Sequence, residues 1–296
     1  MSRVAVLGLG AMGSRMAKAM IGGGHSVTVW NRSAEQAEAL RQEGAVIASS
    51  PGDAASGAEF VISMVRDDIA SRAVWLDRGA LAAMSPGAIA IECSTISAAW
   101  AREFARLANA RQLSFLDAPV VGSRPQADQR QLIFLVGGEA KDILRAAPVL
   151  KAMGNAIHHV GPAGAGVTVK LAVNALFAVQ VTALAELIGT LAQSGIDLGE
   201  AVDAIAATPA CSIAAKGAAA SMLANRFEPL FPVELVEKDL RYARALADGV
   251  NAKLPLSDAA REVMSTAIAR NFGADHLTGV IRLYLDRAKL YLDRAP

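Results

Sequence analysis

The sequence predicts an α/β protein made of a doubly wound N-terminal domain, a long interdomain helix and an all-α C-terminal domain. Three observations support this prediction. A glycine-rich turn joins an apolar strand to a helix near the N-terminus, and strand-like and helix-like stretches then alternate to about residue 160. The third is an apolar run without proline, Gly166 to Gln193, after which only helical patterns appear.

The glycine-rich turn predicts a dinucleotide site. Residues 3–7, an apolar strand, run directly into Gly8, Leu9, Gly10, Ala11, Met12 and Gly13, and a helix-like stretch follows. In a GxGxxG turn the first glycine allows the tight bend, the second lets a pyrophosphate approach, and the third allows close helix packing. The amides and dipole of the helix N-terminus then bind the phosphate. This context is typical of a Rossmann domain.

The end of the second strand, residues 26–30, predicts which cofactor is bound. It is followed by Asn31, Arg32 and Ser33, where an acidic residue would hold the ribose 2′-hydroxyl of NAD. No acid is present, and a guanidinium beside a hydroxyl suits a 2′-phosphate. We therefore expect NADP(H), with NADPH preferred over NADH. The alternative is an ordinary exposed loop arginine.

Further strands are predicted in the N-terminal half, with helices between most of them and mixed orientation among the later strands. Ligands of doubly wound folds bind beyond the carboxyl ends of the strands. Those ends place Met64, Val65, Ser94, Thr95 and the segment 119–123 at the predicted site. The predicted strands are 46–49, 60–65, 88–93, 114–120, 132–136 and 157–160.

The breaker cluster 161–166 predicts a domain boundary, with a nucleotide-binding domain over 1–162 and a helical substrate and oligomerisation domain over 163–296. The long helix, 163–194, is apolar almost all round, which predicts burial between two bodies. Lys170 and Asn174 are four residues apart and therefore share one face. They are either an active-site ammonium beside an amide or a lysine stem lying over apolar surface. Further helices are predicted over 199–207, 212–224, 233–248, 256–271 and 276–292.

Composition narrows the class of partner. Lys plus Arg is 29, Asp plus Glu is 28 and aromatic residues are 5%, so we expect a small-molecule substrate and no nucleic acid. Apolar residues reach 53%, but the charge-free run 171–185 is shorter than a membrane span, so we expect no membrane. Two distant cysteines and no signal-peptide pattern predict a cytoplasmic protein. The four histidines form no ligand pattern, so no metal is expected.

Four sequence blocks resemble the β-hydroxyacid dehydrogenase family, relatives of 6-phosphogluconate and 3-hydroxyisobutyrate dehydrogenases. The endings NR and GSRPQA are most similar to the glyoxylate and succinic semialdehyde reductase branch, which uses NADPH. The blocks, which span nearly the whole chain in family order, are GLGAMGSRMAKAM with GHSVTVWNR, ECSTIS, FLDAPVVGSRPQA with LIFLVGG, and GAGVTVKLAVNALF with FPVELVEKDLRYA.

The resemblance implies a role for several residues. Lys170 would be the general acid/base, Asn174 would bind substrate, and Thr95 would lie by the nicotinamide. Lys238 would contribute to the cofactor side, while Asp239 and Phe231 would approach the substrate pocket. The implied activity is NADPH-dependent, reversible reduction of small aldehyde or keto acids by a homodimer or homotetramer.

One departure from the family pattern concerns the substrate. The family commonly has PVSG, whose serine helps bind the substrate carboxylate, whereas this chain has Val121 at that position. We expect a more apolar pocket in which the backbone amides of Gly122 and Ser123, and the Ser123 hydroxyl, can still bind a carboxylate. The alternative functions are an imine reductase on the same fold and a non-catalytic NADP-binding regulatory protein. Lys170 disfavours the first and the Lys170–Asn174 pair the second.

The C-terminus repeats the pentapeptide YLDRA, at 284–288 and 291–295. The seven-residue spacing puts both tyrosines near one helix face, which is either a contact with a partner subunit or a solvated amphipathic end.

Overall fold

A computed structural model describes residues 1–285. By its internal contacts the chain divides into two compact units, Met1–Lys170 and Leu171–Pro296. The domain boundary predicted at residue 162 stays a prediction. The strands are β1 (Arg3–Leu7), β2 (Ser26–Trp30), β3 (Val46–Ile47), β4 (Phe60–Ser63), β5 (Ile89–Glu92), β6 (Ser114–Asp117), β7 (Val120–Val121), β8 (Leu132–Gly137) and β9 (Gly154–Gly161).

The helices confirm the predicted alternation in the first unit and the helical character of the second. There is also a π-helical turn over Ala73–Asp77 and a 3₁₀ helix over Leu277–Leu283. The α-helices are α1 (Gly13–Gly22), α2 (Ala34–Arg41), α3 (Pro51–Ala55), α4 (Asp68–Arg72), α5 (Ala80–Ala83), α6 (Ala98–Asn109), α7 (Arg124–Asp128), α8 (Ala140–Lys151), α9 (Ala165–Leu191), α10 (Leu198–Ala207), α11 (Ile213–Leu223), α12 (Val233–Asp248) and α13 (Pro255–Ala269).

The sheet of the first unit is mixed, as the sequence predicts. Strands β3, β2, β1, β4, β5 and β6 are parallel in that spatial order. Strand β8 then pairs antiparallel with β6 and β7, and parallel with β9. The carboxyl ends of β1, β2, β4 and β5 therefore meet at one edge, which is where a doubly wound fold binds its ligand.

The prediction of a single strand over 114–120 is wrong, because this segment forms the two strands β6 and β7. Asp117 pairs with Gly137 and Val120 with Phe134, so both strands run along β8 in one continuous register. Pro119 lies in the gap. Its ring nitrogen carries no hydrogen to donate to the ladder, although its carbonyl still accepts from the amide of Leu135 at 3.0 Å.

The central strands are buried on both faces, which explains their continuous apolar sequences. Every residue of β4 and β5 is buried, and the alternate residues Phe60, Ile62, Ile89 and Ile91 pack in a core formed with helices on one face of the sheet. Two buried polar residues are exceptions, Ser63 at the end of β4 and Glu92 at the end of β5. Since a buried polar group is costly unless it is hydrogen-bonded, both ends need partners.

The second unit is built from helices around its own apolar core, to which α9 contributes Ala178, Val181 and Ile188. The prediction of one helix over 276–292 is wrong within the described residues, because the segment after His276 is the 3₁₀ helix. The amide of Gly279 donates to the His276 carbonyl and that of Tyr284 to the Ile281 carbonyl, which is the three-residue spacing of a 3₁₀ helix, and a glycine within the segment disfavours an α-helix. The second YLDRA copy, and most of the first, lie outside the described residues.

Helix α9 is not buried all round. Leu171 and Ala178 are buried, whereas Leu176 is 61% exposed and Leu187 is 52% exposed. By length and composition α9 is apolar enough to cross a membrane, and 44% of its most apolar window is buried. One such helix is weak grounds for a membrane span, since the core helices of soluble proteins share these properties.

Candidate functional site

The glycine turn between β1 and α1 has the shape of a phosphate-binding loop. Gly8 has a φ of +95°, and a Cβ there would lie 2.5 Å from the carbonyl oxygen of Met64; a Cβ on Gly13 would lie 2.0 Å from the carbonyl oxygen of Gly8. The fold itself therefore requires both glycines. A Cβ on Gly10 would meet nothing within 4 Å, so packing does not require this glycine, and the open space above it fits a pyrophosphate.

The start of α1 also fits an anion. Its first turn contains no acidic residue, and its N-cap residue Met12 offers no side-chain oxygen to the free amides. The positive end of the helix dipole is therefore not compensated by a side chain at the cap. Leu9 and Ala11 complete the loop, and the residues present fit a dinucleotide phosphate.

Asn31, predicted as a cofactor residue, also braces this loop. Its Oδ1 accepts the amide of Leu9 at 2.9 Å, and its Nδ2 donates to the carbonyl of Ser33 at 3.0 Å. The Asn31 side chain thus links the loop after β1 to the loop after β2. Arg32 and Ser33 are exposed at the end of β2, and Arg32 makes none of the ion pairs found within residues 1–285.

The predicted cofactor residues Met64, Val65 and Thr95 lie half-buried at the carboxyl ends of β4 and β5. The two loops are tied together, because the amide of Val65 donates to the hydroxyl oxygen of Ser94 at 2.7 Å. Sequence reasoning placed Ser94 at this edge beside Thr95, but it did not predict the hydrogen bond by which the Ser94 hydroxyl connects the two loops.

Val121 is the last residue of β7 at the edge of the sheet, and Gly122 and Ser123 come directly after it. Val120 is in the apolar core, whereas Val121 is half-buried and lies outside it, as alternation along a strand requires. Gly122 is exposed with a φ of +121°. The amide of Ser123 donates to Gln126 Oε1 at 2.9 Å, so it already has a partner in this conformation. The binding of a carboxylate by the Gly122 and Ser123 amides and the Ser123 hydroxyl stays a prediction.

A buried carboxyl group that sequence reasoning missed holds the start of α9, the helix that carries Lys170. Asp117, the last residue of β6, accepts the amide of Gly164 at 2.7 Å and that of Val167 at 2.8 Å. Burial raises the pKa of Asp117 to about 6, although the amide hydrogen bonds act in the opposite direction. Lys170 is half-buried one turn after Val167. Its position therefore depends on how Asp117 seats the helix.

In the second unit the structure brings together Asn174, Asp239 and Lys238, all of them buried. Asn174 Nδ2 donates to Asp239 Oδ2 at 2.6 Å, and the Lys238 ammonium lies 3.0 Å from Asp239 Oδ1 and 5.1 Å from the centre of the Tyr242 ring. Because Nδ2 is fixed on Asp239, the amide of Asn174 presents Oδ1 as an acceptor for a hydroxyl or ammonium group.

Phe231 lies in the loop before α12, and His276 holds this loop. The imidazole Nδ1 of His276 is 3.1 Å from the amide nitrogen of Phe231, and the amide of Leu277 donates to the Phe231 carbonyl at 2.9 Å. Burial lowers the pKa of His276, so a neutral ring that accepts from the Phe231 amide is favoured. Phe231 itself is half-buried.

No group of three metal-ligating side chains occurs within residues 1–285.

The site residues form two sets. The first unit holds the glycine loop, its brace Asn31 and the loops after β4, β5 and β7, while the second holds the Asn174–Asp239–Lys238 cluster and, separately, the Phe231 loop.

Comparison with known proteins identifies a matching family for each of the two parts of the chain. The family described as the NAD-binding domain of 6-phosphogluconate dehydrogenase matches residues 3–161. The one described as the NAD-binding domain of NADP-dependent 3-hydroxyisobutyrate dehydrogenase matches residues 164–284. A solved 3-hydroxyisobutyrate dehydrogenase of Mycobacterium tuberculosis is 31% identical, with a TM-score of 0.88 over 96% of this chain and 99% of that one.

Relatives identified by their sequences include a named dehydrogenase and a named reductase. The chain is 34% identical to 3-hydroxyisobutyrate dehydrogenase of Pseudomonas aeruginosa, over 96% of this chain and 99% of that protein. It is 29% identical to glyoxylate/succinic semialdehyde reductase 1 of Arabidopsis thaliana, over 94% of this chain and 96% of that protein.

Two further similarities concern the alternative functions. An imine reductase from Pseudomonas sp. is 23% identical with a TM-score of 0.62, over 95% of this chain and 98% of that one, a likeness that shows the fold alone. The cytokine-like nuclear factor N-PAC of Homo sapiens is 31% identical over 96% of this chain, which spans only 51% of that longer protein. The fold, the glycine loop and the full-length similarities lead to one conclusion: the chain belongs to the β-hydroxyacid dehydrogenase family of NAD(P)-dependent oxidoreductases.

Proposed function

We propose that this protein is an NADPH-dependent reductase of small aldehyde or keto acids of the semialdehyde or glyoxylate type, which also oxidises the product hydroxy acids. The observation that carries the proposal is the pair Lys170 and Asn174, one helical turn apart on α9, with the Asn174 amide held by Asp239 at 2.6 Å. The similarity to a glyoxylate/succinic semialdehyde reductase supports the substrate class.

Lys170 is the proposed general acid/base. When bound, the nicotinamide supplies the hydride, and the carbonyl oxygen of the substrate acquires negative charge. An ammonium group within hydrogen-bond reach of this oxygen polarises the carbonyl and then donates the proton, which typically contributes 10²–10⁴-fold to the rate. In the reverse direction the neutral amine of Lys170 accepts the hydroxyl proton.

Asn174 is the proposed orienting residue. In this role its Oδ1 accepts a hydrogen bond from a substrate hydroxyl, and the hydrogen bond to Asp239 prevents the amide from rotating. Lys238 neutralises the buried carboxylate of Asp239 at 3.0 Å. We propose that Lys238 serves the cofactor side through this pairing and that Asp239 acts on substrate through Asn174. A buried carboxylate without a cation would be strongly destabilising.

The preference for NADPH is proposed to reside in Arg32 and Ser33. Both are exposed directly after β2, where the adenosine ribose of a dinucleotide lies in this fold. The guanidinium is a bidentate donor for a 2′-phosphate.

We propose a homo-oligomer assembled through an apolar stripe on α9, formed by the exposed residues Ala172, Leu176, Ala183 and Leu187. The spacing of four and seven residues places them on one face of the helix. A continuous exposed apolar face of this kind is typical of a subunit interface. Light scattering should report a dimer or tetramer, and Leu176→Glu should dissociate it; a wild-type monomer would contradict the proposal.

We also propose a cytoplasmic location. Cys93 and Cys211 are both free thiols within the described residues, and burial with the nearby charge of Glu92 raises the pKa of Cys93 well above its usual value, which makes that thiol inert. Fractionation of the host cell tests the location, and recovery in the membrane or secreted fraction would contradict it.

The activity is tested by the loss of NADPH absorbance with a panel of carbonyl compounds: glyoxylate, longer semialdehyde acids, hydrophobic aldehydes and a cyclic imine. We expect turnover with aldehyde acids, slower turnover with NADH, and none with the imine. Turnover with the imine alone would favour an imine reductase, and NADPH binding without any turnover would favour a non-catalytic regulatory protein.

A further inference from the structure

A second buried carboxyl group lies behind the cofactor residues of the first unit. Glu92 ends β5 and is completely buried, yet both of its oxygens have partners. Its Oε1 accepts the amide of Ser94 at 2.9 Å, and its Oε2 accepts the hydroxyl of Ser71 at 2.6 Å and the indole N–H of Trp75 at 3.0 Å. Burying a carboxyl group is costly, and an apolar residue would fill the same volume more cheaply, so packing alone does not account for Glu92.

The Oε1 branch of Glu92 leads towards the cofactor residues. Glu92 fixes the amide of Ser94, and the Ser94 hydroxyl oxygen accepts the amide of Val65 at 2.7 Å. Val65 follows β4 and Thr95 follows Ser94, so one carboxyl group, acting through one serine, sets the separation of the two loops that carry the predicted nicotinamide-side residues.

A second pair of hydrogen bonds joins the loop after β5 to the segment after β4. Ser97 donates its amide to Asp68 Oδ1 at 2.7 Å and its hydroxyl to Asp68 Oδ2 at 2.6 Å. The loop after β5 is thus bound to the β4 side both before and after Thr95. A loop held at both ends presents its middle residue in a fixed position, which is what orientation of a reacting ring requires.

The Oε2 branch leads away from the cofactor. The Ser71 hydroxyl that donates to Glu92 also accepts the indole N–H of Trp100 at 2.9 Å, and Trp75 shares its N–H with the Ser63 hydroxyl oxygen at 3.0 Å. These partners lie in α4, the π-helical turn, β4 and α6. The Oε1 branch therefore contacts the loops of the cofactor residues, whereas the Oε2 branch contributes to the stability of the core.

We propose that Glu92 is a positioning residue which, through Ser94, holds the loops of Val65 and Thr95 in place for the nicotinamide half of the cofactor. The inference rests on the proposed function, since it assumes that these loops face a bound nicotinamide cofactor. It assigns no chemical step to Glu92.

The test compares three variants of the full chain. Ser94→Ala removes the acceptor of the Val65 amide and leaves Glu92 intact. Glu92→Gln replaces one carboxylate oxygen with an NH2 group, so only one oxygen is left to accept hydrogen bonds from the donors of both branches. Ser71→Ala is the matched control, because it removes a hydrogen bond to the same carboxyl group on the side away from the cofactor.

Dissociation constants are measured by calorimetry for NADPH and for 2′,5′-ADP, which lacks the nicotinamide half; NADH and ADP replace them if the wild type prefers NADH. We expect Ser94→Ala and Glu92→Gln to bind the whole cofactor about five- to tenfold more weakly, the effect of about one lost hydrogen bond, and the adenosine fragment unchanged. Ser71→Ala should lower the melting temperature and leave both constants unchanged. The thermal midpoint of each variant identifies one that fails to fold, and Ser94→Ala keeps the test decisive if Glu92→Gln does not fold.

Three results would overturn the inference: Ser94→Ala binding the whole cofactor as tightly as the wild type, Ser71→Ala losing as much affinity as Ser94→Ala, or equal losses for the cofactor and its adenosine fragment. A wild type that binds no nicotinamide cofactor overturns the proposed function itself. A wild type that turns over normally while Ser94→Ala binds unchanged overturns this inference alone.

Discussion

The carboxyl group of Asp117 should make the stability of the first unit depend on pH in an unusual direction. Burial raises its pKa from 3.8 to about 6, although Gly164 and Val167 donate amides to it. In the unfolded chain the group titrates at its ordinary value. Between those two pH values the folded state holds a proton that the unfolded state has lost, so stability falls as pH rises from about 4 to about 6.

The magnitude follows from the shift. About two pKa units at 1.36 kcal/mol each amount to roughly 3 kcal/mol of unfolding free energy, present below the unfolded pKa and lost as pH rises through the folded one. Over the practical range from pH 4.5 to 7.5, where the unfolded group is already mostly ionised, roughly 2 kcal/mol of this loss should be seen.

The perturbation is Asp117→Asn, which cannot titrate. Denaturant unfolding of the wild type and the variant is followed by tryptophan fluorescence at several pH values. The three tryptophans, Trp30, Trp75 and Trp100, all lie in the first unit, so the signal reports this unit alone. Every other titrating group cancels in the difference. Asparagine has one oxygen for two amide donors, which adds a constant offset of about 1 kcal/mol.

We expect the free energy of unfolding of the wild type minus that of the variant to fall by about 2 kcal/mol between pH 4.5 and 7.5. A difference that rises with pH would mean that the amide hydrogen bonds outweigh burial and that the pKa of Asp117 lies below its ordinary value. A difference independent of pH would mean that the group titrates as it does in the unfolded chain. Either result would refute the reasoning.

Three further predictions concern the proposed reaction. Lys170→Ala should lower turnover at least about a hundredfold with NADPH affinity nearly unchanged, as expected for a lost proton donor; a variant that keeps a third of wild-type turnover would remove Lys170 from the mechanism. Arg32→Asp should weaken the preference for NADPH about ten- to a hundredfold or invert it, measured as kcat/KM for the two cofactors, and equal wild-type efficiency with NADH would show that Arg32 does not contact the 2′-phosphate. Glyoxylate should be a poor substrate beside longer aldehydes, and Val121→Ser should shift the kcat/KM ratio towards glyoxylate by about ten- to a hundredfold. An unchanged ratio would mean that this side chain does not face the substrate.

The sequence predicts those features of the fold that depend on neighbouring residues. The glycine turn is an example, because a tight bend, an open approach and a close helix contact each need a glycine within six positions, and Gly8, Gly10 and Gly13 meet these three requirements in the structure. Helix α9 is another, since a run of helix-forming residues without proline predicts its extent to within three residues at each end.

Features set by distant partners were not predictable. The interruption of the strand over 114–120 depends on how Pro119 meets β8, and the occupation of the Ser123 amide depends on the conformation that places Gln126 against it. The exposed stripe on α9 belongs to the same class. A sequence that is apolar on every face predicts that each face is covered, and it cannot tell whether this chain or another molecule covers it.

Glu92 and Asp117 show why positioning groups escape sequence reasoning more readily than the residues they position. Each is the last residue of an apolar strand, where a polar residue ordinarily marks only the beginning of a loop. Asp117 binds amides 47 and 50 residues further along the chain, and Glu92 reaches a serine 21 residues before it. A cofactor loop or a catalytic lysine is recognisable because a small molecule imposes the same local pattern wherever it binds. A buried carboxyl group is held by the amide, hydroxyl or indole donors that one particular packing brings to it, so its role can be recognised only once the packing of the strands and helices is known. The residues proposed to bind the cofactor and to transfer the proton can therefore be recognised in short segments of sequence. The residues that position them depend on contacts between segments far apart in the chain.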